Sequence, residues 1–462
     1  MPAPRIIWFR NDLRLADQAA VRAAAAAGPV VALFVLDDHR PAVASAPEPW
    51  RQGWAMGAAQ RWWLHHALAS LDADLRKRGG RLVLRRGRST EIVPAIAADV
   101  GAEAVHCLGH IEPWARDDEE AVAARVKLEI HEGVLLVRPE SVRTGTGGRY
   151  RIFTPWWRRM REQMPPARPA PAPAKMDFVA DVTSDRLEDL KLLPTNPDWS
   201  GGFTVWQPGE AGAAARLEDF AGRAAAYDEA RNMPSVEGTS RLSPHLAMGD
   251  ISVATIWHAI ADAVPVSAEP YLRELGWRDF AANILDLFPD HGEVPGREVF
   301  SKLAFLDDPE GLRAWQQGRT GYPIVDAGMR QLWAIGWMHN RVRMITASFL
   351  CKHLLIDWRH GERWFWDCLV DADLASNSLG WQWVMGSGVD SSPFNRVFAP
   401  VGQSAKFDAA AYIREWVPEL RHVSESRIHA PWESGGVKGY PPPIIRHEAA
   451  RARALEAYAA AR

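Results

Sequence analysis

The sequence predicts an α/β domain built on a parallel, Rossmann-like sheet of five strands, followed by an all-α domain. Three observations carry this. Over the first ~135 residues, short apolar runs alternate with helical stretches, and strand–helix–strand alternation marks a parallel sheet with helices on both faces. A proline-rich segment at 165–175, PPARPAPAPAK, interrupts the pattern and reads as an extended connection. From about residue 206 onward, apolar positions recur at i, i+3 and i+4 without sustained strand alternation, the mark of helices packed on helices. The expected units are therefore 1–138, a linker over 139–205, and 206–462.

The expected strands are 6–9, 30–36, 82–84, 104–108 and 134–137, with helical stretches at 18–27, 55–77 and 115–127 between them. The N-terminus, MPAPRIIWFRNDLRL, holds only four consecutive apolar residues before charge follows, so it reads as a first strand and not a signal peptide. No GxGxxG follows that strand, so the usual dinucleotide fingerprint is missing. In the second half the periodicity predicts helices at 253–263, 312–317, 327–335, 342–355 and 364–370, with a last helix over 449–462.

Composition narrows the class. The 462 residues are 47% hydrophobic and 24% charged, the balance of a soluble globular protein of two or three domains. No stretch approaches the ~20 apolar residues of a membrane span. Three cysteines in apolar surroundings make no disulfide framework and fit a reducing cytoplasm. Neither CxxC nor HExxH occurs, so no metal site is expected. A net charge of -3 argues against a nucleic-acid partner, although a small basic groove on a neutral protein would serve one. The 22 Trp are mostly expected in the core, yet indole also stacks well on bases and flavins.

Four stretches hold residue types suited to chemistry. Gly238 to Ser243 (GTSRLS) precedes a helical segment, where hydroxyls and free N–H groups bind phosphate or simply cap the helix. Glu274 and Trp277 stand three apart, so a helix sets carboxylate and indole on one face, beside Arg273 and Arg278. Asn340, Arg341 and Met344 share a helical face next to Arg343, and these arginines need partners. Asp371 and Asp373 are the natural ones, and a purely structural Arg–Asp pair fits equally well. Asn377, Trp381 and Trp383 cluster around Gly380, which allows close backbone approach.

Taken together and in order, these motifs resemble the photolyase/cryptochrome family over nearly the whole chain. The resemblance starts at WFRNDLRL (Trp8 to Leu15), continues through EGTSRLS (Glu237 to Ser243), GRTGYP (Gly318 to Pro323), WMHNR (Trp337 to Arg341) and DADLASN (Asp371 to Asn377), and ends at EWVPEL (Glu415 to Leu420). It is nearest to class I cyclobutane pyrimidine dimer photolyases. The resemblance implies an antenna domain followed by an all-α FAD-binding domain, acting as a monomer on DNA that contains such dimers. The competing expectation is a cryptochrome, a flavin blue-light receptor without repair. A structural module that stacks nucleic-acid bases without chemistry is the third reading.

Carried over residue by residue, the resemblance implies that Tyr227, Thr239, Ser240, Arg241, Leu242 and Ser243 hold the FAD phosphates. Asn340, Arg343, Asp371, Ala372, Asp373 and Asn377 complete the cofactor site, with Asn377 at flavin N5. The lesion pocket is Glu274, Trp277, Asn340, Met344 and Trp383, and Arg278, Arg341, Arg396 and Gln403 contact DNA. Members that repair the (6-4) photoproduct carry His where this chain has Asn340 and Met344, so the cyclobutane dimer is the expected substrate. Of the family's three relay tryptophans, Trp381 and Trp358 match, and the third place holds Phe305; Trp315, Trp333 or Trp366 are the candidate replacements. Folate-binding members carry an Asn–Glu pair where Trp114-Ala115 stands here, so a folate antenna is not supported. A deazaflavin or no antenna at all are the open alternatives.

Overall fold

The computed structural model describes residues 2–462. Strands β1 (Arg5–Phe9), β2 (Val30–Leu36), β3 (Leu82–Arg86), β4 (Ala104–Leu108) and β5 (Leu128–His131) form one sheet in the order β3-β2-β1-β4-β5, with every neighbouring pair parallel. Side chains alternate across the sheet. Ile7, Phe9 and Phe34 point to the face covered by α1 (Ala19–Ala27) and α2 (Ala58–Arg76), while Ile6, Trp8 and Leu33 point to the face covered by α3 (Ser89–Val100) and α4 (Pro113–Ala123). The predicted sheet domain is thus present.

The fifth strand differs from expectation. The strand is Leu128–His131, a polar edge strand with Ile130 half exposed, and edge strands hide from an apolar-run search. The apolar run at 134–137 instead docks on the helical half. There the N–H groups of Leu136 and Val137 donate to Asp279 Oδ2 at 2.7 and 3.1 Å. Helix α3 had no clear sequence signal because Pro94 lies inside it. Proline removes the N–H that would bond Thr90 O, and Arg125 Nη1 donates to that carbonyl at 2.7 Å.

Within 139–205 lies α5 (Phe153–Met160), whose Phe153, Trp156 and Trp157 are buried among helical-domain residues such as Phe280 and Leu275. The helical region then runs α6 (Glu210–Ala221), α7 (Tyr227–Ala230), α8 (Ser243–Ala247), α9 (Val253–Ala263), α10 (Glu269–Leu287), α11 (Pro309–Gln316), α12 (Pro323–Ile335), α13 (Asn340–Ser348), α14 (Trp358–Cys368), α15 (Leu374–Met385), α16 (Pro400–Lys406), α17 (Ala410–Trp416), α18 (Glu425–Ile428) and α19 (His447–Ala461). The single helix expected over 342–355 is α13 followed by a π turn at Phe349–His353, where Leu354 N reaches back five residues to Phe349 O at 3.0 Å.

The two halves are joined by buried polar hubs. Asp250 Oδ2 accepts from Trp63 Nε1 at 3.1 Å and from Gly209 N at 3.0 Å, and pairs with His245 Nδ1 at 2.8 Å. Arg14, from the WFRNDLRL stretch, donates to Gly249 O at 3.0 Å and to Gly133 O at 3.0 Å. Gln60 Nε2 donates to Ala372 O at 2.6 Å, which fixes the start of α15 against α2.

Candidate active site

Three helices present one face each to a common cavity. Helix α10 supplies Glu274, Trp277 and Arg278, α13 supplies Asn340, Arg341, Arg343 and Met344, and α15 supplies Leu379, Gly380 and Trp383. The i, i+3, i+4 spacing in each helix is the reason these residues share a wall. Tyr227 and the loop residues Thr239, Ser240, Arg241 and Ser243 close one side, with Arg396 at the rim. The cavity measures about 600 Å³. A chamber of about 200 Å³ adjoins it through Asn340, Arg343, Met344 and Asp371, and adds Ala372, Asp373, Asn377 and Trp381. Arg241 sits at φ +51°, a conformation costly for a side-chain-bearing residue.

The charge balance inside differs from that of the whole chain. The lining holds six arginines, Arg231, Arg241, Arg278, Arg341, Arg343 and Arg396, and two carboxylates, Glu274 and Asp371, while Arg241 also pairs outward with Glu237 at 2.6 Å. Arg343 Nη2 lies 2.7 Å from Asp371 Oδ2, and Ser243 Oγ donates to the same oxygen at 2.6 Å. Asp371 Oδ1 is buried without a partner, an unsatisfied acceptor that a bound donor would complete. Arg231 Nη1 pairs with Glu274 Oε1 at 2.7 Å. Arg341 bonds Asn232 Oδ1 and lies over the Phe407 ring. Burial, and then the charges of Arg231 and Arg396, lower its guanidinium pKa. His339, behind α13, is pushed down to about 4 by burial and then by the charge of Arg341, so it is neutral at pH 7.

The Trp277 ring is backed by Phe153, stacked at 3.6 Å and 10°. Asp373 caps α15, accepting from Ser376 N at 2.7 Å. Asn377 Nδ2 donates to Glu362 O at 3.0 Å. The Glu362 carboxyl is buried with both oxygens unpartnered, and burial raises its pKa well above the carboxylate range. Trp381 meets Phe365 edge-on at 5.0 Å and Trp315 at 6.2 Å. Gly361 makes room for it, since a Cβ there would collide with the indole.

Most residues singled out in the sequence meet at these two chambers. Gly238, Arg273, Trp315, Trp333 and Trp366 do not line them, and neither do four others. Leu242 is core, Trp358 is buried in the large helical cluster, Phe305 packs against that cluster, and Gln403 sits half-buried on α16. Arg278 lines the cavity but spends a donor on Val134 O at 2.8 Å. Sequence reasoning missed Arg231, Asn232, Phe153 and Glu362. Arg231 could have been found one turn after Tyr227; the others reach the site from distant segments and leave no local signal.

A second crevice of about 100 Å³ lies at the C-terminal ends of β1, β2 and β4, lined by Trp8, Arg10, Arg40, Trp54, Glu112, Trp114 and Trp366. This is where the strand order reverses, the usual ligand position in an open α/β sheet.

The architecture is a parallel α/β domain joined to a helical domain that carries the large cavity. The DNA photolyase family model matches residues 5–174, and the model for the FAD binding domain of DNA photolyase matches residues 271–460. The deoxyribodipyrimidine photo-lyase of Agrobacterium fabrum is 43% identical over 482 residues, covering 99% of this chain and 98% of that protein. The solved bacterial class III photolyase from Agrobacterium tumefaciens superimposes with a TM-score of 0.93 at 43% identity, over 100% of this chain and 98% of that one. An archaeal photolyase from Sulfolobus tokodaii, with two FAD molecules and an implied novel light-harvesting cofactor, gives a TM-score of 0.81 at 30% identity, over 99% of this chain and 100% of that one. The chain belongs to the DNA photolyase family.

Proposed function

We propose that this protein is a light-driven lyase that splits cyclobutane pyrimidine dimers in DNA with FAD as its cofactor. One observation carries the reading. Glu274 and Trp277, a helical turn apart on α10, face a basic cavity that continues through Asn340 and Arg343 to Asn377. Identity to a protein named deoxyribodipyrimidine photo-lyase supports it over the cryptochrome reading. The 43% relative of known structure is a class III photolyase, and we assign that subclass in place of the class I suggested by the motifs.

The residues present fit FAD. Thr239 to Ser243 offer hydroxyls and backbone N–H groups to phosphates. Asp371, with one oxygen unpartnered and the other held by Arg343 and Ser243, is fixed to accept from the flavin side. Asn377, tethered through Nδ2 to Glu362 O, presents its oxygen as an acceptor for a reduced ring nitrogen. Reduced FAD supplies the electron that opens the cyclobutane ring. Trp277 and Trp383 stack on the flipped-out bases, Glu274 bonds their polar edge, and Arg341 and Arg396 hold phosphates. Trp381, on the chamber wall, starts the photoreduction relay. Trp315 touches it, and the stacked pair Trp333–Trp364 brings an indole that is 58% exposed to the surface. Trp381→Phe is expected to stop photoreduction while the chemically reduced enzyme still repairs. We assign the β1–β4 crevice to an antenna. At about 100 Å³ it is smaller than the roughly 300–1,000 Å³ of ordinary small-molecule sites, so its side chains must move to admit one.

The test is recovery of thymine absorbance from UV-irradiated oligothymidine by reduced enzyme, in blue light and in darkness. Light-dependent recovery is expected. Glu274→Ala should lower it more than about tenfold with FAD retained, the loss of one charge-assisted hydrogen bond of about 1.5–3 kcal/mol. No recovery with fully reduced, bound FAD would reject the reading.

A further inference from the structure

Among the described residues, one group of three metal-ligating side chains has its ligand atoms within 4.8 Å of one another: His106, Glu129 and His131. None of them takes part in the site above. We propose that these residues bind a divalent first-row transition metal, Zn²⁺ or Ni²⁺ in class, that ties the edge strand β5 to β4.

The sheet register places them. His106 pairs with Glu129 across the β4–β5 ladder, and Leu108 pairs with His131. Alternation along β5 then sends Glu129 and His131 to the same face, two residues apart. His106 Nδ1 lies 3.0 Å from His131 Nε2 and 3.5 Å from Glu129 Oε2. In a tetrahedral site with metal–ligand bonds of about 2.0–2.1 Å, the ligand atoms stand about 3.3 Å apart. These two spacings bracket that edge, and all three ligand atoms lie within 4.8 Å of one another, so side-chain movements of an ångström or so close the set. Lys127 occupies the other carboxylate oxygen, Oε1, at 2.8 Å and leaves Oε2 toward the rings.

The donor set selects the ion. Two imidazoles and one carboxylate suit zinc or nickel, whereas magnesium and calcium favour all-oxygen sites. The surrounding charges are Arg5, Arg22 and Lys127. Arg5 is already paired with Glu103 at 2.6 Å and Lys127 with Glu129 itself. With His106 buried and Glu129 partly exposed, a fourth position opens to water on the outer edge. The pattern escapes a motif search because its ligands lie on two strands, 23 and 25 residues apart, and not at helical spacing.

Titration calorimetry of the FAD-loaded full chain with Zn²⁺, and separately Mg²⁺, tests the proposal. One Zn²⁺ per chain and no Mg²⁺ binding are expected. Glu129→Gln and His131→Ala, both at partly exposed positions, should each weaken Zn²⁺ binding more than about tenfold, the smallest loss typical of even a supporting residue, with FAD content unchanged. Zn²⁺ should also slow amide exchange across Leu128–His131. Absence of one-to-one binding, wild-type affinity in both variants, or unchanged exchange with metal bound would overturn the assignment. His106→Ala removes a buried ring and disturbs the sheet edge itself, so the two partly exposed positions are the ones to replace.

Discussion

The two crevices of this molecule use the same residue types to opposite ends. Both are lined by tryptophan and arginine. At the sheet's C-terminal edge acid outweighs base: Arg10 and Arg40 face four carboxyl groups, those of Asp37, Glu112, Asp118 and Asp373. The walls there are clamped, with Arg10 2.6 Å from Glu119, Trp54 Nε1 donating to Glu293 Oε1 at 2.5 Å, and Arg363 4.1 Å over the Trp54 ring. In the helical cavity six arginines face two carboxylates around about 600 Å³. An acid-rich clamped crevice keeps a small guest or none and turns a polyanion away, whereas an open arginine-lined cavity draws one in. The difference shows that net charge was the wrong scale for judging a nucleic-acid partner. The chain carries -3 overall, yet the cavity lining holds six arginines to two carboxylates.

That contrast is broken most severely at Asp371. Asp371→Ala leaves Arg343 without its partner in the cavity wall. Breaking a buried pair costs about 3–5 kcal/mol, and with Arg343 about a quarter exposed we expect roughly 2–3 kcal/mol here, together with loss of FAD on purification. Trp114→Ala in the other crevice should leave FAD content and repair by the reduced enzyme unchanged when the flavin itself is excited. FAD absorbance and the repair assay on both variants check this. Equal damage from the two changes would erase the functional distinction between the crevices.

A milder effect sharpens the electrostatic half of the comparison. Arg341 and Arg396 line the cavity and on the proposed reading contact DNA phosphates, so replacing either with Ala should weaken binding of damaged and undamaged DNA alike. The slope of log K against log salt should fall by about 1 for each phosphate contact removed. Titrations at several salt concentrations measure it. An unchanged slope for Arg341→Ala would assign that side chain to Asn232 and Phe407, its partners within the protein.

How much of this was legible in the sequence follows from the range of each signal. Four strands and about half of the helices announced themselves because apolar periodicity is local. The fifth strand did not, since Leu128–His131 is an edge strand and the more apolar 134–137 run docks on α10. Trp8, Trp63, Trp156, Trp315 and Trp358 proved fully buried, as the abundance of indole suggested. The site was visible where one helix carried several of its residues, as with Glu274 and Trp277. It was invisible where a partner came from another segment: Arg231 to Glu274, Phe153 to Trp277, Glu362 to Asn377. Linear spacing records faces of helices, not contacts between them.

Asp279 stands at the junction of the two regions and offers the gentlest test. Its Oδ2 holds the N–H groups of Leu136 and Val137, while Oδ1 is buried without a partner. Burial pushes its pKa from 3.8 up to about 7, against the opposing pull of Arg278 and the two backbone bonds. A carboxyl whose folded pKa is raised gives its stabilisation in full below pH 3.8, loses it progressively as pH rises to about 7, and changes nothing further above that. Asp279→Asn keeps an acceptor for the two N–H groups and does not titrate. Between pH 5 and pH 8 the variant should therefore gain on the wild type by roughly 1–3 kcal/mol, at about 1.4 kcal/mol per pKa unit. Urea denaturation of both proteins at the two pH values measures the gap. The same gap at both would mean that Asp279 is ionised throughout, and that the segment joining the two regions is held by a carboxylate already compensated by Arg278.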